Sequence, residues 1–67
     1  MIQVQINGEA RDVDEGCSVT ALLARLGVPA VIAVVERNGA VVPKAGFDAE
    51  RLAPGDRIEI VRLMGGG

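Results

Sequence analysis

Pro54-Gly55-Asp56-Arg57-Ile58-Glu59-Ile60-Val61-Arg62-Leu63-Met64, followed by Gly65-Gly66-Gly67, is the stretch whose reading decides the fold. Pro-Gly-Asp is a turn: proline presets its backbone angle, glycine accepts a positive one, and aspartate can bond its own backbone. From Arg57 the residues alternate, so a strand over Arg57 to Leu63 puts Ile58 and Ile60 on a core face. Arg57, Glu59, Val61 and Leu63 then share the opposite face. The strand leads directly into bare glycine, which sets the terminal carboxylate on a tether without side chains. Extended, Met64 to Gly67 would span roughly 14 Å. The expected organisation is one domain over 1–64 with a flexible glycine tail over 65–67.

Working back from that strand, the same punctuation recurs. Ile2, Val4 and Ile6 alternate with Gln3 and Gln5, the period of a half-buried strand. Asn7-Gly8 is a hairpin turn, and Ala10 to Asp14 returns as a short, mostly polar second strand. Ser18 is placed to cap a helix whose Val19, Leu22, Leu23 and Leu26 form one apolar face. Gly27 suits the left-handed position that ends a helix, and Pro29 prevents continuation. Ala30 to Glu36 is a near-continuous apolar run, expected as a central strand covered on both faces. Asn38-Gly39 turns the chain into Val41-Val42, which Pro43 ends. Lys44 to Ala53 shows no sustained period and is expected as a loop with one short helical turn, anchored by Phe47 and Leu52. A mixed sheet of four to five strands packed on one main helix buries all these faces, an α+β architecture.

Composition narrows the function. The chain has 67 residues, 49% of them hydrophobic, enough for one aliphatic core with Phe47 as its single aromatic residue. The net charge is −2 and the basic residues are scattered, which argues against a nucleic-acid partner. The longest apolar stretch, Val28 to Val35, is too short to cross a bilayer, and no secretory signal is visible at Met1-Ile2-Gln3-Val4. One cysteine excludes an internal disulfide and fits a reducing, cytoplasmic setting. There is no histidine, no nucleophile–base pair and no phosphate loop, so a stand-alone enzyme is the least supported class.

Taken together, Asn7-Gly8, Val19-x-x-Leu22-Leu23, Asn38-Gly39-x-Val41-Val42-Pro43-Lys44 and the run Pro54 to Val61 before a Gly-Gly end resemble the ThiS family. This is a family of ubiquitin-like, β-grasp sulfur carriers in thiamin thiazole biosynthesis, and the resemblance covers essentially the whole chain. Phe47 stands where relatives often carry tryptophan, and Gly65 is an extra glycine before the usual pair. The resemblance implies that an E1-like adenylyltransferase of the ThiF type activates the Gly67 carboxylate with MgATP. A persulfide donor such as a cysteine desulfurase then supplies sulfur, leaving a thiocarboxylate that serves a ThiG-type thiazole synthase. Gly65 and Gly66 thread a narrow active site where a Cβ would clash. No cofactor is expected to be bound by the carrier itself; the ATP is consumed by its partner.

The partner-binding expectation falls on Val61, Leu63 and Met64, an apolar strip beside the tail. The competing reading has the strand end and loop packing bury them. Cys17 is read as a small half-buried residue before the helix rather than as the sulfur carrier, for want of a second cysteine or an activating neighbour. Lys44 and Arg62 read as solvated charges. Asp12, Asp14 and Glu15 read as favourable to the helix dipole rather than as a metal site. Alternatives of other kinds are a molybdopterin-synthase small-subunit-like carrier, a sulfur carrier of another pathway, a ubiquitin-like modifier joined to lysines through Gly67, and an interaction module with an inert tail.

Overall fold

The computed structural model describes residues 1–63; Met64, Gly65, Gly66 and Gly67 lie outside the described residues. Strands β1 (Ile2–Ile6) and β2 (Glu9–Val13) form the first hairpin, and helix α1 (Val19–Leu26) follows. Strands β3 (Ala33–Arg37) and β4 (Ala40–Val42) form the second hairpin, and β5 (Arg57–Arg62) closes the sheet. The strand order is β2-β1-β5-β3-β4. β5 is parallel to β1, with Ile6 beside Ile58, and antiparallel to β3, with Val35 beside Ile60.

Local chemistry accounts for the turns and the helix. Asn7 and Gly8 have φ of 49° and 83°, and Asn38 and Gly39 have 52° and 87°. Both hairpins thus place two residues at positive φ, the geometry that matches the twist of the flanking strands. α1 has only eight residues and would not persist alone in water. Its ends are secured from outside. The Ser18 hydroxyl accepts the Ala21 N–H at 3.0 Å, while the Val19 and Thr20 N–H groups donate to the Glu50 and Phe47 carbonyls. At the other end Gly27 sits at φ 72° and Val28 N–H returns to the Leu23 carbonyl.

The core lies between α1 and one face of the sheet. Val19, Leu22 and Leu23 from the helix meet Val4, Val35 and Ile58 from the strands, all essentially without solvent contact. Phe47 and Leu52 are buried and fix the long connection between β4 and β5, as the sequence implies. That connection holds one short helical turn, Lys44–Gly46.

Two expectations for the second half need correction. Residues Ala30–Ile32 form a 3-10 turn, not the start of a strand. Pro29 leads into it, and Ile32 N–H closes it onto the Pro29 carbonyl at 3.2 Å. The strand that follows is covered on one face only: Ala33 and Val35 are buried, Val34 and Glu36 half-buried. The centre of the sheet is β5, paired on both sides.

Candidate functional site

β5 carries the chain from the middle of the sheet toward residues 64–67, and two polar devices fix its ends. At its start, Asp56 is buried and its carboxylate accepts from Arg37 Nε at 2.8 Å, Asn38 Nδ2 at 3.0 Å and the Ala53 N–H at 2.8 Å. Arg37 also donates to Glu50 at 2.8 Å, so one guanidinium ties the second hairpin to the long connection and to the entry of β5. Burial alone would push the Asp56 carboxyl up; the Ala53 N–H, the Asn38 amide and the Arg37 charge outweigh it and hold it below the ordinary carboxylate value. The Glu50 hydrogen bond, ahead of Asp56, holds the Arg37 guanidinium charged.

Toward the other end, β1 has already finished and Asn7 takes over its pairing. The Asn7 side-chain oxygen accepts the Ile60 N–H at 2.8 Å, and its amide donates to the Ile60 carbonyl at 3.2 Å. A side chain thus satisfies both backbone groups of a strand residue with no neighbouring strand on that side. Beyond it, Leu63 N–H donates to the Ile32 carbonyl at 2.7 Å, which carries the β3–β5 ladder to the last described residue.

The expected faces of β5 are present. Ile58 is buried and Ile60 half-buried against the core, while Val61 is 55% and Leu63 54% exposed. Among the described residues nothing buries these two side chains; Met64, the third residue of the expected strip, lies outside the described residues. Val61 lies directly across from Val34, and Glu59 across from Glu36, on the same outer face. The neighbouring 3-10 turn adds Val31, which is also exposed. The site is an apolar step beside a pair of facing carboxylates. Like charges opposite one another are unfavourable unless a cation comes between them, and among the described residues neither glutamate has a salt bridge.

Other singled-out residues are elsewhere. Cys17 is half-buried at the start of α1, its thiol donating to the Ser18 carbonyl at 3.3 Å. Burial first, then the Asp14 charge, push that thiol up, which disfavours the nucleophilic thiolate. Lys44 donates to the Ala33 carbonyl at 2.7 Å and its ammonium lies 5.9 Å from the Phe47 ring centre, so it is a structural tie. Asp12, Asp14 and Glu15 form no metal-ligating group; none exists among the described residues. Met64 and the three glycines, which complete the expected site, fall outside the described residues. The roles of Asn7 and Asp56 were missed in the sequence, where both read as turn formers. The only available signal was that each stands where a side chain can reach a strand end.

A five-stranded mixed sheet in the order 2-1-5-3-4 over one helix, with the last strand central and leading to a glycine sequence, defines a ubiquitin-like β-grasp protein. The solved structure of a thiamine biosynthesis protein (ThiS) from Geobacter metallireducens superposes with a TM-score of 0.84 at 39% identity, covering 98% of this chain and 100% of that one. The family model described as the ThiS family matches residues 4–67, and the chain belongs to that family. Two relatives are thiazole synthases, from Paramagnetospirillum magneticum (41% identical) and Magnetococcus marinus (36% identical), each aligned over 98% of this chain. The chain spans about a fifth, 20%, of the length of each. A protein of Porphyra purpurea, uncharacterized protein ycf40, is 32% identical over 98% of this chain and 93% of its own length.

Proposed function

We propose that the chain is a sulfur carrier for formation of the thiamin thiazole, itself no enzyme, with the Gly67 carboxylate as the group that is loaded. The observation that carries this reading is the reach of the family match, which runs through the last strand and all three glycines to residue 67. The chemistry follows from the acyl group. A carboxylate is a poor acyl donor because oxide would have to leave. With Gly67 as the terminus, its oxygen attacks the α-phosphorus of MgATP in an E1-like adenylyltransferase, and pyrophosphate departs. The resulting mixed anhydride has AMP as a competent leaving group. A persulfide from a cysteine-desulfurase-type donor attacks the carbonyl and expels AMP, giving an acyl disulfide. A second thiol attacks the outer sulfur, forms a disulfide with it and releases the thiocarboxylate.

The protein's own part is presentation. Asn7 and the β3 ladder hold β5 rigid up to Leu63, and the glycines beyond it present no Cβ to a narrow active site. Val61, Leu63 and Val34 on the outer face, with Met64 following, form the apolar contact for the adenylyltransferase and then the synthase. A partner arginine placed between Glu36 and Glu59 would relieve their repulsion and set the register of docking. Relatives in which a segment like this chain is part of a longer thiazole synthase support the synthase as the recipient. The setting is the reducing cytoplasm, where a thiocarboxylate survives.

Intact-protein mass spectrometry tests the loading step. The chain is incubated with an E1-like adenylyltransferase, MgATP and a persulfide donor, beside a control lacking Gly67. Replacement of one oxygen by sulfur in the full chain alone is the expected result. An unchanged mass with partners active on another carrier contradicts it.

A further inference from the structure

On the side of the molecule opposite the outer sheet face, β2 and the end of α1 do not close against each other. Between them runs an open trough of about 360 Å³, continuing into a second cavity of about 260 Å³ toward the end of β5. Its floor is apolar, from Ile6, Leu22 and Leu26. Three arginines from three different elements stand around it: Arg11 on β2, Arg25 on the last turn of α1 and Arg62 at the end of β5. In a chain of net charge −2 carrying seven basic residues, that is a local concentration of positive charge. Glu9 lines both cavities and sits 3.9 Å from Arg11, so these two charges offset each other. Asp12 lines the first cavity but pairs with Gln3 and so belongs to the outer face of β2. Arg25 and Arg62 have no salt-bridge partner among the described residues.

The trough also has an open hydrogen-bonding wall. β2 is the edge of the sheet, and beyond its pairing with β1 no backbone hydrogen bond involves residues 9–13 among the described residues. Such an edge accepts an added strand. The register directs its side chains: Arg11 pairs with Val4 and Glu9 with Ile6, so both point to the helix side of the sheet, into the trough.

We propose that this trough binds an extended partner segment that adds to β2 as a sixth strand, seating alternate apolar side chains on the floor and flanking acidic residues on the three arginines. Backbone pairing supplies affinity without sequence preference, the apolar floor selects period-two aliphatic residues, and the arginine rim selects acidic flanks. The occupant is an acidic, aliphatic peptide segment of a partner protein. The trough and the outer face lie on opposite sides of the sheet, so a partner held here leaves Val61 and the tail free for an enzyme. The inference does not depend on the sulfur-carrier reading.

The test uses the intact chain, isotope-labelled, titrated with a synthetic peptide of alternating valine and threonine flanked by aspartates. A second peptide carries lysines in place of the aspartates. Expected are amide shift changes confined to β2, the second half of α1 and Arg62 at the end of β5, with the lysine peptide binding roughly tenfold or more weakly. The double variant Arg11→Glu with Arg25→Glu, both at exposed positions, keeps the spectrum of the rest of the domain and reverses the preference between the two peptides. Shift changes on β3 and the outer face of β5, equal binding of both peptides, or no change with either at millimolar concentration overturns the proposal.

Discussion

Replacing Asp56 with alanine tests how the start of β5 is held. The substitution removes three hydrogen bonds to one buried carboxylate, from Arg37, Asn38 and the Ala53 N–H. Breaking a buried ion pair commonly costs about 3–5 kcal/mol, because a charge is left without its partner. Here Arg37 keeps Glu50 at 2.8 Å, so the guanidinium is not stranded and the cost falls at the lower end. The Ala53 N–H loses its acceptor, which adds about 1 kcal/mol unless water reaches it. The expected loss is therefore about 3–4 kcal/mol. A domain of this size has about 3–10 kcal/mol in all, so the variant is left near the edge of folding. Its Tm falls by roughly 15 °C or more. Urea unfolding at pH 7, followed by far-ultraviolet circular dichroism, measures the difference. A loss below about 1 kcal/mol with an unchanged denaturant slope would refute the assignment of Asp56 as the hub of this network.

The same group sets a pH dependence. Its folded pKa lies below the ordinary carboxylate value, so its contribution is complete above about pH 5 and is lost as pH falls through that ordinary value and then through the lower folded one. The wild type should lose stability across that acid range, and Asp56→Asn should flatten the curve there; parallel curves would contradict the sign. Asn7→Asp keeps the acceptor for the Ile60 N–H but sets a carboxylate against the Ile60 carbonyl. It should cost about 1–2 kcal/mol and speed hydrogen exchange at Ile60 to Leu63, with no change at β4. Val61→Asp alters an exposed side chain and should leave stability within about 0.5 kcal/mol. It should weaken calorimetric affinity for the adenylyltransferase by roughly tenfold, about 1.4 kcal/mol; unchanged affinity would remove the outer face from the docking surface.

Local signals were legible in the sequence wherever the physics is local. The alternation of Ile2, Val4 and Ile6, the two Asn-Gly turns, the Ser18 and Gly27 caps and the in-out pattern of Ile58 to Leu63 each depend on neighbours a few residues away. They reappear in the structure with those faces. The run Ala30 to Val35 misled because continuous apolar residues look the same whether a strand is covered on both faces or merely carries a half-buried Val34 on its outer face. The Pro29 that closes the 3-10 turn was visible, but its effect on where β3 begins was not. Asp56 and Asn7 were read only as turn residues because their partners lie 18, 19 and 53 residues away, and only topology brings them together. The trough beside β2 was invisible for the same reason: Arg11, Arg25 and Arg62 are far apart in the chain.

The proposed function requires that this chain hand its sulfur to the thiazole. The direct measurement loads the chain with isotopically labelled sulfur as its thiocarboxylate, supplies it as the sole labelled reactant to a reconstituted thiazole synthase, and follows the label by mass spectrometry. Label is expected in the thiazole ring, with one loaded chain consumed for each ring formed and none made with the chain lacking Gly67. An unlabelled thiazole, or thiazole formed equally well with the truncated chain, would contradict it.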